Sequence, residues 1–160
     1  MVTNKRWILF TFLTAFSIYW TVNLILWFPW SVNTVLGMTL MLTVAPFIWA
    51  YGVYQCLNKF QGVKQYQGAI FTSLIYILVA AIADYIFFGK IRNAMKELYH
   101  PTTLSGYLFL ILLPFILTFL FSKKIKNKQN IQRQDFIKYG VLGFFSIVTI
   151  FIIIKFNMTI

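Results

Sequence analysis

Long apolar runs separated by short polar segments dominate the pattern of this chain. A helix rises 1.5 Å per residue, so about 20 apolar residues cross the roughly 30 Å hydrocarbon core of a bilayer. The pattern therefore predicts an all-α integral membrane protein with five transmembrane helices. The predicted spans are residues 7–28, 35–57, 69–88, 104–121 and 137–155.

The apolar runs also limit the alternatives. The fifth run, Tyr139–Ile154, is short for a span, so a bundle of four spans is the fallback. A β-barrel is disfavoured because the runs are continuous rather than alternating. Pro46 and Pro114 lie within runs and predict kinked helices.

The segment at 89–100 has a different pattern from the run that precedes it. At 100° per residue its apolar positions fall on one side and its polar positions on the other, which predicts an amphipathic helical extension of the third span. Pro101 disfavours helix at His100 and ends the segment. The exposed side is expected to contact lipid headgroups or a partner protein, and consists of Lys90, Arg92, Asn93, Lys96, Glu97 and His100.

The composition agrees with a membrane protein. Apolar residues make up 60% of the 160 residues and charged residues 11%, and the mean hydropathy is +0.77. So few charges cannot solvate the surface of a soluble domain of this size. We expect a single membrane domain over residues 1–160.

The net charge of +11 reflects basic residues placed between the apolar runs. With the N-terminus in the cytoplasm, ten of the 14 basic residues lie inside and four outside, as the positive-inside rule requires. This placement is typical of topology determinants, so we do not expect nucleic acid to be a partner. The cytoplasmic loop at 122–138 is expected to contact lipid headgroups through Lys123, Lys124, Lys126, Lys128 and Arg133.

Asp84 is the one carboxylate inside a long apolar run. Like Asn23 and Lys155, it lies 16 residues beyond the inner end of its run, or about 24 Å along a helix. These three side chains are a candidate polar cluster in which Lys155 neutralises Asp84. For Asn23 and Lys155 we favour the simpler interpretation that they lie near span ends, whereas Asp84 is either functional or essential to helix pairing, or a hydrated interfacial carboxylate.

Two further patterns concern helix contact and catalysis. Gly140, Gly143 and Ser146 form a stripe of small residues suited to helix packing. Glu97 and His100 share one side of the segment at 89–100 and have acid–base chemistry, but no activated nucleophile accompanies them.

The inventory of reactive residues is small. A single cysteine excludes an intrachain disulfide, and one histidine with three acidic residues disfavours a metal site. No catalytic residues and no cofactor are indicated. We expect a non-enzymatic protein of the bacterial cytoplasmic membrane whose partners are lipids, another membrane protein or a second copy. The alternatives are a small transporter or channel subunit that uses Asp84 and, third, an intramembrane enzyme that uses Asp84, Glu97 and His100.

Overall fold

The computed structural model of the chain describes residues 5–125 and 129–156. All regular structure in these residues is helical, and five helical stretches are long and apolar enough to cross a membrane. The prediction of an all-helical chain with five such stretches is thus confirmed. The α-helices are α1 (Lys5–Val32), α2 (Thr34–Thr43), α3 (Ala45–Asn58), α4 (Gln65–Asp84), α5 (Pro101–Leu120), α6 (Ser122–Ile125) and α7 (Arg133–Lys155).

Helix α1 is the centre of the bundle. It packs against α2, α3, α4 and α7, while α5 packs against α3 and α4. Its buried residues accordingly lie on more than one side, and include Phe10, Ser17 and Tyr19. A helix that is apolar all round is suited to such a central position.

The second apolar run forms one helical stretch, Thr34–Asn58, that is interrupted only at Val44. Helix α2 ends at Thr43 and α3 begins at Ala45, with Val44 between them. Pro46 occupies the first turn of α3, where its missing backbone N–H leaves no helical hydrogen bond unmade. At the other end of α2, the Asn33 side chain caps the helix by accepting from Val35 N and Leu36 N.

Helices α1 and α7 approach each other closely at the stripe of small residues. The Ser17 hydroxyl donates to the Tyr139 carbonyl at 2.6 Å, and the Thr21 and Ser146 hydroxyls are 2.9 Å apart. A Cβ on Gly143 would lie 2.7 Å from Ser17 Oγ, so this contact needs glycine. Gly143 and Ser146 therefore face α1, as the stripe predicts.

The segment at 89–100 corrects the prediction of an amphipathic helical extension. A π-helical turn, Tyr85–Ile91, follows α4, and a separate 3₁₀ helix, Met95–Tyr99, comes after it. Asn93 between them has a positive φ of 51°, a backbone conformation that interrupts a right-handed helix. The periodic pattern therefore does not produce one amphipathic helix.

One end of the bundle collects the starts of α1, α4 and α7 with the ends of α3 and α5. We call it the ion-pair end, and define it by residues 56–65, 122–125 and 129–135. Its segments are joined by hydrogen bonds from Gln129 N to the Asn58 carbonyl (3.0 Å) and from Gln65 Nε2 to the Ser122 carbonyl (3.1 Å). Here α7 begins at Arg133, so the polar connection is shorter than the predicted loop at 122–138.

Candidate functional site

Asp84, the last residue of α4, is buried between three helices, with 7% of its surface exposed. The Tyr19 hydroxyl on α1 donates to Asp84 Oδ1 at 2.5 Å. The Tyr107 hydroxyl on α5 donates to Asp84 Oδ2 at 2.6 Å. Each carboxylate oxygen thus receives one hydrogen bond from a neutral donor, and Asp84 links α4 to both neighbouring helices.

The sequence around Asp84 explains how the two tyrosines reach it. Ala80 and Ala83 are buried beside it on α4 and provide little bulk, which lets other helices approach closely. A buried tyrosine needs a partner for its hydroxyl, and the carboxylate supplies one to both rings. Sequence reasoning missed Tyr19 and Tyr107 because a tyrosine inside an apolar run is indistinguishable from the other aromatic residues there.

Of the two residues predicted to accompany Asp84, the structure brings one to the same site. Asn23 Nδ2 donates to the Tyr19 carbonyl at 3.1 Å, and Asn23 lines the same cavity as Asp84. Lys155 is exposed on α7 and does not line that cavity. The reason is that α1 lies between them: α7 packs on the side of Ser17 and Thr21, whereas Tyr19 points 200° around α1 towards Asp84. Equal depth in the bundle therefore does not bring Lys155 and Asp84 together.

Asp84 borders a cavity of about 430 Å³ at the end of the bundle opposite the ion-pair end. We call this region the cavity end, and define it by residues 19–30 and 84–110. Much of the wall is aromatic, a lining typical of small-molecule sites. The aromatic residues of the wall are Tyr19, Trp27, Trp30, Trp49, Phe88, Tyr107 and Phe109.

The irregular segment after α4 forms one side of this cavity. Phe87 in the π-helical turn is fully buried against Trp20 and Trp27 and anchors the turn. The Arg92 guanidinium lies 5.5 Å from the centre of the Trp27 ring and 5.7 Å from that of Phe88. Two rings of the wall, Trp27 and Phe88, therefore already contact one cation, the Arg92 guanidinium.

The predicted outer contact face divides into two groups. Arg92, Glu97 and His100 are exposed residues that line the cavity. The other three residues do not line it, and are Lys90, Asn93 and Lys96.

His100 has a structural role that the sequence analysis did not foresee. Its Nδ1 lies 2.7 Å from Thr102 Oγ1 and accepts from Thr102 N at 3.4 Å, so it caps the start of α5. Pro101 follows at the first helical position, which suits proline. The contact between His100 and Thr102 is thus that of a helix cap. His100 also borders the same cavity as Asp84 and Glu97.

The ion-pair end contains a different polar site. Lys59 Nζ lies 2.8 Å from Asp135 Oδ2, and the two side chains are 6% and 24% exposed. Asp135 also accepts from Gln132 N at 2.7 Å, which caps the start of α7. Sequence reasoning missed this pair, although the spacing of Gln132 and Asp135 resembles a capping box.

Three of the five predicted headgroup residues are exposed at the same end, namely Lys123, Lys124 and Arg133. Lys126 and Lys128 fall outside the described residues.

A second cavity, of about 460 Å³, lies on the flank of the bundle between α2, α3 and α7. Its wall is almost wholly apolar and includes Val44, Phe47 and Leu142, with Lys138 as its one charged side chain. It offers no carboxylate. Among the described residues no group of three or more His, Cys, Asp or Glu side chains is placed to hold a metal ion.

Comparison with protein-family models, with curated proteins and with solved structures found no match. The site is therefore interpreted from its own geometry.

Proposed function

We propose that this protein is a non-enzymatic, multi-pass protein of a bacterial cytoplasmic membrane that binds a small organic ligand in the cavity beside Asp84. The observation that carries the proposal is a cavity of about 430 Å³ with an aromatic wall and a buried carboxylate. Small-molecule sites commonly combine such a volume with an apolar lining and a few polar groups that fix orientation.

The proposed orientation places the ion-pair end in the cytoplasm and the cavity end outside. Its support is the distribution of charge, because eight of the 12 basic residues that the structure describes lie at or next to the ion-pair end. Exposed Lys123, Lys124 and Arg133 would contact anionic headgroups on that side.

Orientation and access can be tested with cysteine labelling in intact cells. Gly106 lines the cavity, and a Cβ placed there would meet no atom within 4 Å, so Gly106→Cys fits without disturbing the fold. We expect a membrane-impermeant maleimide to label it from outside. Lys123→Cys, at the ion-pair end, should react only after the cells are permeabilised, and the buried native Cys56 should stay unlabelled. The reverse pattern would show that the orientation is wrong.

Ligand binding can be tested by filling the cavity. Protein in nanodiscs is screened against small organic compounds by thermal unfolding, alongside Gly106→Trp and Gly140→Trp. Both glycines have open space around an added Cβ, but only Gly106 is among the residues that line the cavity. Compounds that stabilise the wild type and Gly140→Trp, but not Gly106→Trp, would support the proposal. The absence of any such compound would count against it.

A second function, ion- or proton-coupled transport, is favoured by one observation: Asp84 is buried yet borders a cavity at one end of the bundle. Ionisable groups placed in this way often belong to transport pathways. Proteoliposomes should then show flux driven by an ion gradient that Asp84→Asn abolishes, while the protein remains folded. Equal flux through wild type and variant would exclude this role.

A further inference from the structure

We infer that the ligand of the cavity is a small organic cation, an amine or quaternary ammonium with an apolar body, whose charged group lies beside Asp84. This inference rests on the proposed function, because it requires the cavity to be a binding site.

The first argument is the distribution of charge. The whole chain has three acidic and 14 basic residues. The cavity lining nevertheless contains two of the acidic residues, Asp84 and Glu97, and one basic residue, Arg92. A cavity that concentrates carboxylates in a strongly basic protein has the charge that attracts a cation.

The second argument is that Asp84 has no cationic partner among the described residues. Its contacts there are the neutral hydroxyls of Tyr19 and Tyr107. The contrast is Asp135, which has Lys59 at 2.8 Å. A carboxylate oxygen can accept more than one hydrogen bond, so both oxygens of Asp84 retain acceptor capacity. A bound ammonium group would supply the positive countercharge that no described residue gives to this buried carboxylate.

The third argument is the aromatic wall. Aromatic faces attract cations, most strongly where water is excluded. Arg92 already lies over the Trp27 and Phe88 rings, which shows that these two rings present faces to a cation. Tyr19, Trp30 and Trp49 add further aromatic residues to the same wall. An apolar cation would therefore find both a carboxylate and aromatic faces in one cavity.

The charge of the ligand can be tested with three probes of similar shape. Benzyltrimethylammonium is positive, neopentylbenzene is its uncharged carbon analogue and phenylmethanesulfonate is negative. Their affinities are measured by isothermal titration calorimetry against the full chain in dodecyl maltoside micelles, because this detergent has an uncharged headgroup and carries no ammonium group that would compete with the probes. We expect the cation to bind at least about tenfold more tightly than the uncharged probe, and the anion to bind most weakly.

Two substitutions test which residues cause the preference for the positively charged probe. Asp84→Asn, which keeps the shape of the side chain, should reduce the preference for the cation to within about threefold. Arg92→Gln removes a like charge from the lining and should increase the affinity for the cation by about two- to fivefold. Lys90→Gln is its matched control, because Lys90 is exposed on the same segment but does not line the cavity. Arg92 is also exposed, so its variant remains informative if Asp84→Asn does not fold.

The outcomes separate the inference from the proposed function. If all three probes bind equally well and Gly106→Trp removes the binding of each, the cavity is a ligand site but the cation inference is wrong. Tighter binding of the anion, weaker cation binding by Arg92→Gln, or no binding of the cation would each overturn the inference. If Gly106→Trp leaves probe binding unchanged, the proposed site is wrong as well.

Discussion

Each end of the bundle contains one aspartate, Asp135 at the ion-pair end and Asp84 at the cavity end, and the partners of these two carboxylates differ. At the ion-pair end, Asp135 accepts from the buried ammonium of Lys59 and from the backbone N–H of Gln132. At the cavity end, Asp84 is more deeply buried yet accepts only from two tyrosine hydroxyls among the described residues. The ion-pair end uses its carboxylate to join segments of the chain. The cavity end leaves its carboxylate with capacity for a further partner.

The backbone around the two carboxylates also differs. Around Asp135, neighbouring segments are joined by direct hydrogen bonds such as that from Gln129 N to the Asn58 carbonyl. Around Asp84, the backbone passes through a π-helical turn and a residue of positive φ before it becomes helical again. π-Helical turns and unusual backbone conformations are frequent at functional sites. The comparison agrees with the proposal that one end stabilises the fold and the other binds a ligand.

The largest effect on stability is expected from Asp135→Ala. The substitution leaves the Lys59 ammonium buried without its carboxylate and removes the acceptor for Gln132 N. We expect the free energy of unfolding to fall by about 3 kcal/mol, the lower end of the range for buried pairs, because Asp135 is partly exposed. The measurement is an SDS titration in mixed micelles followed by circular dichroism. A loss of under about 0.5 kcal/mol would mean that the pair behaves as a surface ion pair.

A middle-sized effect is expected where α7 packs on α1. Gly143→Ala places a Cβ 2.7 Å from Ser17 Oγ and 3.2 Å from Ser17 Cα, so the two helices must separate. We expect a loss of about 1–3 kcal/mol in the same titration. Gly140→Ala is the matched control on the same helix, because its Cβ meets no atom within 4 Å. It should be neutral or stabilising by up to about 1 kcal/mol. Equal effects of the two variants would refute the close approach.

The smallest effect is expected at the cavity end. Tyr107→Phe removes one of the two hydrogen bonds to Asp84, and should cost about 1 kcal/mol in the free energy of unfolding. Tyr66→Phe, at an exposed tyrosine, serves as the control and should cost nothing measurable. If Tyr107→Phe were as costly as Asp135→Ala, the hydroxyl would be essential to the fold and the contrast between the two ends would fail.

Much of the architecture could be predicted from the sequence because apolar length is a local property. The five runs and the interruption beside Pro46 both depend on neighbouring residues in the chain. Asn23 and Asp84, two members of the candidate polar cluster, line one cavity.

The parts that could not be predicted depend on how the helices are arranged around α1. Depth along a helix can be counted in the sequence, but the side of α1 on which each neighbour packs cannot. Equal depth therefore made Lys155 a candidate partner of Asp84, although α7 lies on the side of Ser17. The same limit concealed the pairing of Lys59 with Asp135, two residues 76 positions apart in the chain.

The π-helical turn at Tyr85–Ile91 bears on how this protein can be redesigned or can diverge. Such a turn corresponds to one extra residue in an α-helix, so the deletion of one residue there would restore regular helical register. The residues that follow would rotate by about 100° around the helix axis. Arg92 would move away from the Trp27 face while α4 and Asp84 stayed in place. The positions of the Arg92 guanidinium and the Glu97 carboxylate are thus separable from that of Asp84 by a single-residue change in chain length.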